Sequence, residues 1–575
     1  MNTVLAEGVV VLVSNGHPWH EISVKSLAAF LRRHGIRCRV VYLNWRNSVP
    51  APAGRQLVEL LRSAALAGFS LMTKDVPVLG PLMREVRALG LPVVAGGVHP
   101  TAATAHTLAY CDYACVGEGE VPLLALYRWL VNGEGARDRI PNLAFMEGGE
   151  VRLPSEYWAA ESLEELPSPD YALEDSLFLQ GDVLVPIPTS AQEKKALLGI
   201  DVFLYYSARG CPNACAYCSN SLYHALARKT GVRWFRTLSP GHVLQQLREN
   251  RKSLPSHFLW FNDDDFMARP VEELREICTA VREEFGARYN INATPNSVTE
   301  AKMDILASTG VRQIAFGIQS GSDRVLRGLY KRRVLSETVV RAAEIVANYR
   351  DHGVMADYGF ILDNPYEDET DQRETMRLFL RLPQPVNLSL YSLSFFPGTA
   401  LTQRALRDGI VSEQSVLSGK DYREEITPSF THALLQAAYK THLDGDAYAF
   451  LLSDAVFVHP ENRYPREILA NSFLSEAVRD ICWLAQGGAA NLLPDAAPDV
   501  DILAATRLVS LRFRTPQTVA RGPGDGLRVL QYQEGFSLTF RGGSIVQVQG
   551  PDGFRKDYKP IRPIAALTAV DVYDF

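Results

Sequence analysis

Three cysteines lie close together in the stretch YYSARGCPNACAYCSN, which spans residues 205–220. Cys211, Cys215 and Cys218 account for three of the eight cysteines in the 575-residue chain. They follow a hydrophobic run that resembles a strand, so we expect them on the loop after that strand, wrapped around a compact inorganic core. A cluster held by three cysteines leaves one iron open to another ligand. Zinc is an alternative, since Cys215, Cys218 and His224 could contribute to a closed site.

The composition and charge of the chain bear on its cellular location and its partners. The net charge is −6 and the pI is about 6.1, which give no overall attraction to nucleic acid. No run reaches the roughly 18 apolar residues of a membrane helix, and the first residues lack the pattern of a signal peptide. We therefore expect a cytoplasmic protein with no membrane or nucleic-acid partner. Its thiols would be reduced, which favours metal binding or catalysis over disulfides.

Short apolar runs alternate with helical patterns through residues 1–135. This alternation predicts a Rossmann-like, doubly wound parallel sheet, with strands at 9–15, 37–44, 66–73, 91–97 and a fifth ending within 113–120. Ligands of such sheets bind outside the carboxyl ends of the strands. Gly96 and Gly97 follow the fourth strand, and Gly117 and Gly119 follow the fifth. They would let the backbone approach a flat or phosphate-bearing ligand, although turn glycines without a ligand are the alternative.

The cysteine triplet, with Tyr217 before its last member, resembles the signature of radical S-adenosylmethionine (SAM) enzymes. That family has a partial (β/α)6 barrel of the TIM type, with the cluster loop after its first strand. Six matching strands are readable between residues 201 and 415, at 202–207, 258–266, 289–297, 311–321, 356–363 and 386–395. Helical patterns separate them, and the active site would lie at their carboxyl ends.

The same resemblance assigns residues to SAM. Asp263 and Asp264 follow the second strand, where the family binds the amino group of SAM, although many members have Gly-Gly-Glu there. Gln319 and Ser320 lie in GIQSGSD, where the family commonly has Glu-Ser-Gly-Ser. Gln319 would be a neutral hydrogen-bond partner in place of a glutamate. Two further residues would flank the adenine, namely Tyr217 and Leu393.

The glycine turns AGGVHPT and VGEGE, joined to a radical SAM core, resemble the cobalamin-binding domain of the cobalamin-dependent subfamily. Many cobalamin domains carry Asp-x-His-x-x-Gly after the first strand, but the loop SNGHPWHEIS places His17 and His20 at the wrong spacing. This fits either a cobalt without a protein imidazole or a domain that has lost cobalamin. The residues that the resemblance assigns to cobalamin are Ser14, Ser70, Met72, Gly96, Gly97, His99, Gly117, Glu118 and Gly119.

The remaining segments carry fewer signals. Residues 136–200 are expected to form a connector, and residues 416–575 an α+β region with helices at 425–490 and short antiparallel strands beyond 505. This C-terminal region would either bind substrate or serve only in packing. The chain as a whole is thus predicted to be an α/β protein.

The resemblance implies an enzyme with a four-iron four-sulfur cluster, SAM and cobalamin. It would form a 5′-deoxyadenosyl radical and methylate an unactivated carbon or phosphorus of a small molecule or peptide. We expect a monomer supplied with electrons by a flavodoxin or ferredoxin. The alternatives are radical cyclisation or ring rearrangement without methyl transfer, and a zinc-holding interaction module. A tRNA methylthiolase is disfavoured, because Cys38, Cys111 and Cys115 do not form a convincing second cluster motif.

Overall fold

The computed structural model describes residues 8–45, 50–199, 202–250, 258–383, 387–418, 435, 518–521, 527–531, 537–541, 544–549 and 555–557. Among the helices in these ranges, none combines the length and apolar character that a membrane span requires. The N-terminal sheet and the first four strands of the second large sheet belong to one compact unit of the chain.

The N-terminal sheet has the predicted parallel core. Its strands are β1 (Val9–Ser14), β2 (Cys38–Tyr42), β3 (Ala64–Ser70), β4 (Val93–Gly96) and β5 (Tyr113–Cys115). They pair in the order β5-β4-β3-β1-β2, and each pair is parallel. The strand order reverses between β3 and β1, and such switch points are where doubly wound sheets bind ligands.

Helices cover this core on both faces, as right-handed crossovers between parallel strands require. They are α1 (Ile22–Arg33), α2 (Ala51–Arg62), α3 (Val76–Ala88), α4 (Val98–Ala102), α5 (Thr104–Thr107) and α6 (Glu120–Asn132). Val11, Val41 and Phe69 pack in one buried cluster with Leu61 of α2 and Met83 of α3. Burial of each such side chain contributes about 1.5–3 kcal/mol.

The segment predicted as a connector extends this sheet at both edges. β6 (Leu143–Glu147) and β7 (Glu150–Arg152) add antiparallel strands next to β5, whereas β8 (Ser176–Gln180) joins β2 in parallel and β9 (Val183–Pro186) pairs with β8. The sheet therefore has nine strands, and α7 (Ala191–Leu198) follows it. These four strands have three to five residues each, so their sequences are too short to show a clear period.

The second sheet has six strands in chain order, as predicted for the partial barrel. They are β10 (Phe203–Tyr205), β13 (Phe258–Phe261), β14 (Arg288–Ala293), β15 (Val311–Gln319), β16 (Met355–Leu362) and β17 (Asn387–Ser392). A small antiparallel pair, β11 (Ala208–Arg209) and β12 (Arg236–Thr237), follows the first strand. The accompanying helices are α8 (Asn220–Thr230), α9 (Pro240–Asn250), α10 (Val271–Phe285), α11 (Glu300–Thr309), α12 (Ser336–Ala347), α13 (Glu369–Arg381), α14 (Ala400–Arg407) and α15 (Glu413–Ser418).

Side chains alternate between the two faces of these strands. Tyr289 and Ile291 are fully buried, whereas Asn292 on the opposite face is partly exposed. Such alternation is the expected result of a period of two residues along a strand. One face of the second sheet is therefore apolar and closed, and the other carries polar groups.

The C-terminal sheet is a meander of five antiparallel strands, in agreement with the strands predicted beyond residue 505. They are β18 (Thr518–Arg521), β19 (Leu527–Gln531), β20 (Ser537–Arg541), β21 (Ser544–Gln549) and β22 (Arg555–Asp557). The helices predicted at 425–490 lie outside the described residues, apart from position 435.

Candidate active site

The cysteine loop follows β10 and is shaped by its first glycine. Gly210 has a φ of +85°, and a Cβ there would lie 2.6 Å from Nε1 of Trp234. Only glycine fits this close approach with a left-handed backbone. Trp234 stacks on Tyr223 with ring centroids 4.3 Å apart, so the loop rests on a rigid aromatic pair.

All three cysteine sulfurs accept hydrogen bonds from nitrogen donors. The backbone N–H of Asn213 donates to Cys211 Sγ at 3.4 Å, and that of Asn220 donates to Cys218 Sγ at 3.5 Å. Arg332 Nη1 lies 3.8 Å from Cys215 Sγ. None of the three forms a disulfide. N–H donors around thiolate sulfur are typical of iron–sulfur sites, where they tune the reduction potential.

Burial disfavours bare thiolates in this loop. It raises the pKa of Cys211 to about 12 and also raises the pKa of Cys218. Ligation to iron replaces the thiol proton with a positively charged centre, which removes this penalty. The loop therefore suits a metal cluster better than it suits free reactive thiols.

Arg332 brings an unpredicted positive charge to the loop. Its guanidinium is 6% exposed, donates to Tyr217 Oη at 3.2 Å and also donates to the carbonyl of Gly317. Its Nε is buried and has no acceptor among the described residues. An orphaned donor on a guanidinium that contacts Cys215 Sγ fits an anionic group at this position. The sequence showed only a basic run at 324–333, which a solvated helix face would also explain.

The zinc alternative receives no support from the geometry. His224 Nε2 contacts the carbonyl oxygen of Cys211 at 2.9 Å, so this ring nitrogen is already engaged with the backbone. In the part of the chain that the structure describes, no three His, Cys, Asp or Glu side chains converge on a single metal ion. A four-iron cluster is larger than one ion and holds its cysteines further apart.

The two aspartates predicted to bind SAM have different roles in the structure. Asp263 is buried and accepts the backbone N–H groups of Ser207 and Ala208 at 2.6 and 2.9 Å, together with the Ser207 hydroxyl. It therefore fixes the chain that leads into the cysteine loop. Asp264 is exposed and accepts a hydrogen bond from Asn220 Nδ2 at 3.0 Å. Asn220 also lies at Cys218, so Asp264 is the better candidate for a ligand contact.

Gln319 and Ser320 end β15 in an unusual conformation. Gln319 has a φ of +77°, which is rare for a residue with a side chain, and a register shift occurs between Gly317 and Gln319. Ser320 is fully buried, as Leu393 nearly is. Strained backbone of this kind is common at ligand-binding sites. The assignment of these residues to SAM stays a prediction.

A cavity of about 410 Å³ opens at the carboxyl ends of both sheets. The N-terminal sheet contributes the predicted Ser70 and the glycine turns, whereas the second sheet contributes the segments after β10 and β13. The residues from the first group are Ser70, Gly96, Gly97, Gly117, Glu118 and Gly119, and those from the second include Tyr206, Arg209, Gly210, Asn262, Asp263 and Asp264. The switch point of the first sheet and the mouth of the second thus share one space.

The turn after β4 keeps that space open. Gly97 has a φ of +108°, and a Cβ there would lie 2.8 Å from the carbonyl oxygen of Leu71. A Cβ on Gly96 would meet only Cys115, at 3.8 Å, so a side chain there would occupy the cavity. This cradle fits a large flat ligand such as the corrin of cobalamin.

Three residues predicted to bind cobalamin lie away from the cavity wall. Ser14 is buried and donates to Glu21 at 2.6 Å, and His99 is fully buried between Thr73 and His106. Met72 is 44% exposed and does not line the cavity. The geometry does not support their assignment to cobalamin, because strand-end position alone does not decide where a side chain points.

The loop after β1 offers no imidazole to the cavity. Burial, followed by the proximity of His20, lowers the pKa of His17 to about 4, and the His17 ring packs against Phe178. Within the described residues, no histidine lines the cavity. This loop is compatible with both alternatives of the sequence analysis, namely a cobalt without a protein imidazole and a domain that has lost cobalamin.

Two buried glutamates after β5 pair with two arginines of the small β11–β12 pair at the cavity edge. Arg209 lies 3.4 Å from Glu118 and also pairs with Glu120, whereas Arg236 pairs with Glu118 and donates to the carbonyl of Ala160. The glutamates follow β5, and the arginines lie on β11 and β12. This network was not predicted from the sequence, although Arg209 stands two residues before the first cluster cysteine.

Comparison with known proteins accounts for both halves of this arrangement. Residues 8–127 match the family model of the B12 binding domain, and residues 205–379 match that of the Radical SAM superfamily. An uncharacterized methyltransferase of Pyrococcus horikoshii is 24% identical over 327 residues, which are 56% of this chain and 64% of that protein. The chain thus spans slightly less than two thirds of this relative.

Two solved structures share the fold. TsrM of Kitasatospora setae, a radical SAM methyltransferase solved with tryptophan substrate and a SAM analogue, has a TM-score of 0.54 and 19% identity, covering 70% of this chain and 76% of TsrM. OxsB, a cobalamin-dependent SAM radical enzyme solved with aqua-cobalamin, has a TM-score of 0.59 and 16% identity, covering 87% of this chain and 75% of OxsB.

The chain joins a B12 binding domain to a radical SAM domain. These are the two domains that the resemblance predicted, and the predicted fold class is confirmed. The predicted cofactors, namely the four-iron four-sulfur cluster, SAM and cobalamin, are those of these two domain families.

Proposed function

We propose that this protein is a cobalamin-dependent radical SAM methyltransferase that methylates an unactivated carbon, or a phosphorus, of a small molecule or peptide. The observation that carries this proposal is the single cavity shared by the glycine turns of the B12 binding domain and the loops after the first two barrel strands. Methyl transfer to a substrate radical requires both cofactors to reach one substrate at once.

The residues present can hold the three cofactors. Cys211, Cys215 and Cys218 would hold the cluster, and Asp264 would accept from the amino group of SAM. Gln319 and Ser320 would contact its ribose. The backbone at Gly96, Gly97, Gly117 and Gly119, together with Ser70, would lie against cobalamin. When bound, the cluster supplies an electron, SAM a deoxyadenosyl radical and cobalamin the methyl group.

The protein itself orients these groups and excludes water. Asp263 fixes the segment that enters the cysteine loop, and Asn262 donates to Tyr206 Oη at 2.6 Å on the cavity wall. The apolar side chains Leu27, Leu123 and Leu126 line the deeper part of the cavity. An apolar, closed space protects a carbon radical from side reactions.

The relatives support methyl transfer more than they support a particular substrate. The names of the Pyrococcus protein and of TsrM both state methyltransferase, and TsrM was solved with the small molecule tryptophan. A small-molecule or peptide substrate follows for this chain by analogy. An external flavodoxin or ferredoxin as electron donor, a monomeric state and a cytoplasmic location belong to the same proposal.

Replacement of each cluster cysteine tests the proposal. Cys211→Ala, Cys215→Ala and Cys218→Ala should each lower the iron content from about four per chain and abolish 5′-deoxyadenosine release from SAM under anaerobic conditions. Cys278→Ala, which changes a buried cysteine of α10 outside the loop, is the matched control and should retain both. Undiminished release by a loop variant would contradict the proposal.

Product mass decides between the two radical outcomes. With SAM labelled with deuterium in its methyl group, each transferred methyl should add its label to the product. An unlabelled, cyclised or rearranged product would show the alternative radical reaction. Colourless wild-type protein that carries one zinc ion would instead favour the interaction module.

A further inference from the structure

Four successive barrel strands carry polar side chains that hydrogen-bond in a row on the polar face of the sheet. This inner polar row consists of Asn290 on β14, Gln313 on β15, Asp357 on β16 and Ser389 on β17. Asn290 Nδ2 donates to Gln313 Oε1 at 3.4 Å, and Gln313 Nε2 donates to Asp357 Oδ2 at 3.0 Å. Ser389 Oγ donates to the two oxygens of Asp357 at 3.0 and 3.1 Å.

The carboxylate sets the direction of every bond in the inner polar row. A carboxylate only accepts, so Gln313 must turn its amide nitrogen toward Asp357 and its oxygen toward Asn290. Asn290 must then turn its nitrogen toward Gln313, which leaves Asn290 Oδ1 as an acceptor. Asn290 is 7% exposed, and within the described residues this oxygen has no hydrogen-bond donor. A buried acceptor without a donor is costly and points to a missing partner.

The inner polar row also carries a negative charge without a counter-ion. Within the described part of the chain, no lysine, arginine or histidine forms a salt bridge with Asp357. Gln313, Asp357 and Ser389 are partly exposed, whereas their neighbours Ile314 and Tyr358 are buried. The open side of the row therefore presents acceptors and negative charge. A cationic N–H donor is the complement of such a surface.

A second polar layer lies further along the strands, between the inner polar row and the carboxyl ends of the strands. Trp260 Nε1 donates to Asn292 Oδ1 at 3.2 Å, and Asn292 Nδ2 donates to Asn262 Oδ1 at 3.0 Å. Asn262 and Tyr206 line the cavity. Asn292 lies two residues beyond Asn290 on the same strand, a rise of about 7 Å. A molecule held at the row would pass this layer on its way to the cavity.

We propose that the inner polar row binds the protonated amine of the substrate, through the Asp357 carboxylate and Asn290 Oδ1. The substrate class is then a small molecule or peptide with a primary amine at one end and its reacting centre directed toward the cavity. This inference rests on the proposed function for the identity of the bound molecule as substrate. The competing explanation is that the row serves only to pack the barrel strands.

Two probes of equal size distinguish an amine site from structural packing. 4-Phenylbutylamine and 4-phenylbutan-1-ol differ only in the terminal group, and their dissociation constants are measured by saturation-transfer NMR. The wild-type protein should bind the amine about tenfold more tightly than the alcohol, as charge-assisted hydrogen bonds predict. Equal affinity for the two probes would overturn the proposal.

Variants of the inner polar row test whether it causes the preference for the amine over the alcohol. Asp357→Asn should remove most of the preference, whereas Asp351→Asn, which changes an exposed carboxylate outside the row, should keep it. Asn290→Ala leaves the carboxylate in place and should weaken amine binding several-fold, which provides a second measurement if Asp357→Asn does not fold. An unchanged preference in either folded row variant would overturn the proposal.

Failure of this inference can be told apart from failure of the proposed function. Release of 5′-deoxyadenosine by the reconstituted wild-type protein measures the function and requires no amine probe. Release without amine preference would overturn the amine site alone. Amine preference without any release would overturn the proposed function and retain a binding site for amines.

Discussion

At the scale of single residues, the cluster loop is defined by what surrounds its sulfur atoms. Two sulfurs accept backbone N–H groups, and the third lies beside the Arg332 guanidinium. Hydrogen bonds and positive charge near the sulfurs stabilise the reduced, more negative cluster. Arg332 should therefore raise the reduction potential of a cluster bound in this loop.

Replacement of this arginine tests the effect. Arg332→Met should shift the reduction potential of the reconstituted cluster to more negative values, as measured by anaerobic redox titration followed by EPR. Arg333→Met removes an exposed charge from the next position and is the matched control, with little expected shift. Equal potentials in the two variants would show that Arg332 does not act on the cluster.

At the scale of elements, the turn between β4 and α4 contains two adjacent glycines that are needed for different reasons. Gly97 permits a backbone that a side chain would strain, with its Cβ position 2.8 Å from a carbonyl oxygen. Gly96 has ordinary room but faces the cavity. Gly97 is thus needed for the backbone conformation of the turn, and Gly96 for the access of a ligand to the cavity.

Alanine at each glycine should give different results. Gly97→Ala should lower the free energy of unfolding by about 1–3 kcal/mol, because the positive φ and the contact with Leu71 both oppose a Cβ. Gly96→Ala should change it by less than about 1 kcal/mol but reduce cobalamin retention. Urea unfolding and the absorbance of bound hydroxocobalamin after gel filtration are the measurements. Full cobalamin retention by Gly96→Ala would contradict the assignment of this turn.

At the scale of the whole molecule, the network of Glu118, Glu120, Arg209 and Arg236 ties the B12 binding domain to the segment that enters the cluster loop. Burial by itself raises the pKa of Glu120, but the nearby Arg209 charge outweighs it, and the pKa is lowered from 4.5. A buried pair of this kind is weak evidence for net stability, yet removal of one partner leaves an uncompensated charge.

Replacement of Arg209 should therefore reduce the stability of the fold at neutral pH. Arg209→Met should lower the free energy of unfolding by about 3 kcal/mol at pH 7. In the wild-type protein, the contribution of Glu120 exists above its unfolded pKa near 4.5 and is lost as the pH falls through the lower folded value. In the variant, burial raises the pKa of Glu120, so protonation relieves the penalty. The difference in the free energy of unfolding between the wild-type protein and Arg209→Met should therefore become smaller as the pH is lowered.

Urea unfolding between pH 7 and pH 4 measures this difference. Arg248→Met breaks an exposed pair with Glu284, in which the side chains are 53% and 39% exposed, and should leave the free energy of unfolding nearly unchanged. A difference between wild type and Arg209→Met that stays constant over this range would show that Glu120 is not the group left unpaired.

Local patterns predicted most of the elements and part of the site. The apolar run at Val9–Ser14 predicts a strand, and the helical period at Val271–Phe285 predicts a helix. Because such patterns are local, the parallel core and the six barrel strands were predictable. The position of Cys211, Cys215 and Cys218 directly after the apolar run at 202–207 likewise predicted the cluster loop. Strands β6 to β9 were missed because they are short, with three to five residues each, too few for a clear period.

The sequence by itself determined the two sheets, the cluster loop and the glycine turns, because each is encoded by residues close together in the chain. Only the tertiary structure decided which side chains reach the cavity. Ser14, Met72 and His99 do not line the cavity. Arg332 contacts Cys215, and Glu118 pairs with Arg236. Such contacts join positions about a hundred residues apart, and their energies depend on burial and charge pairing that appear only when the strands are assembled.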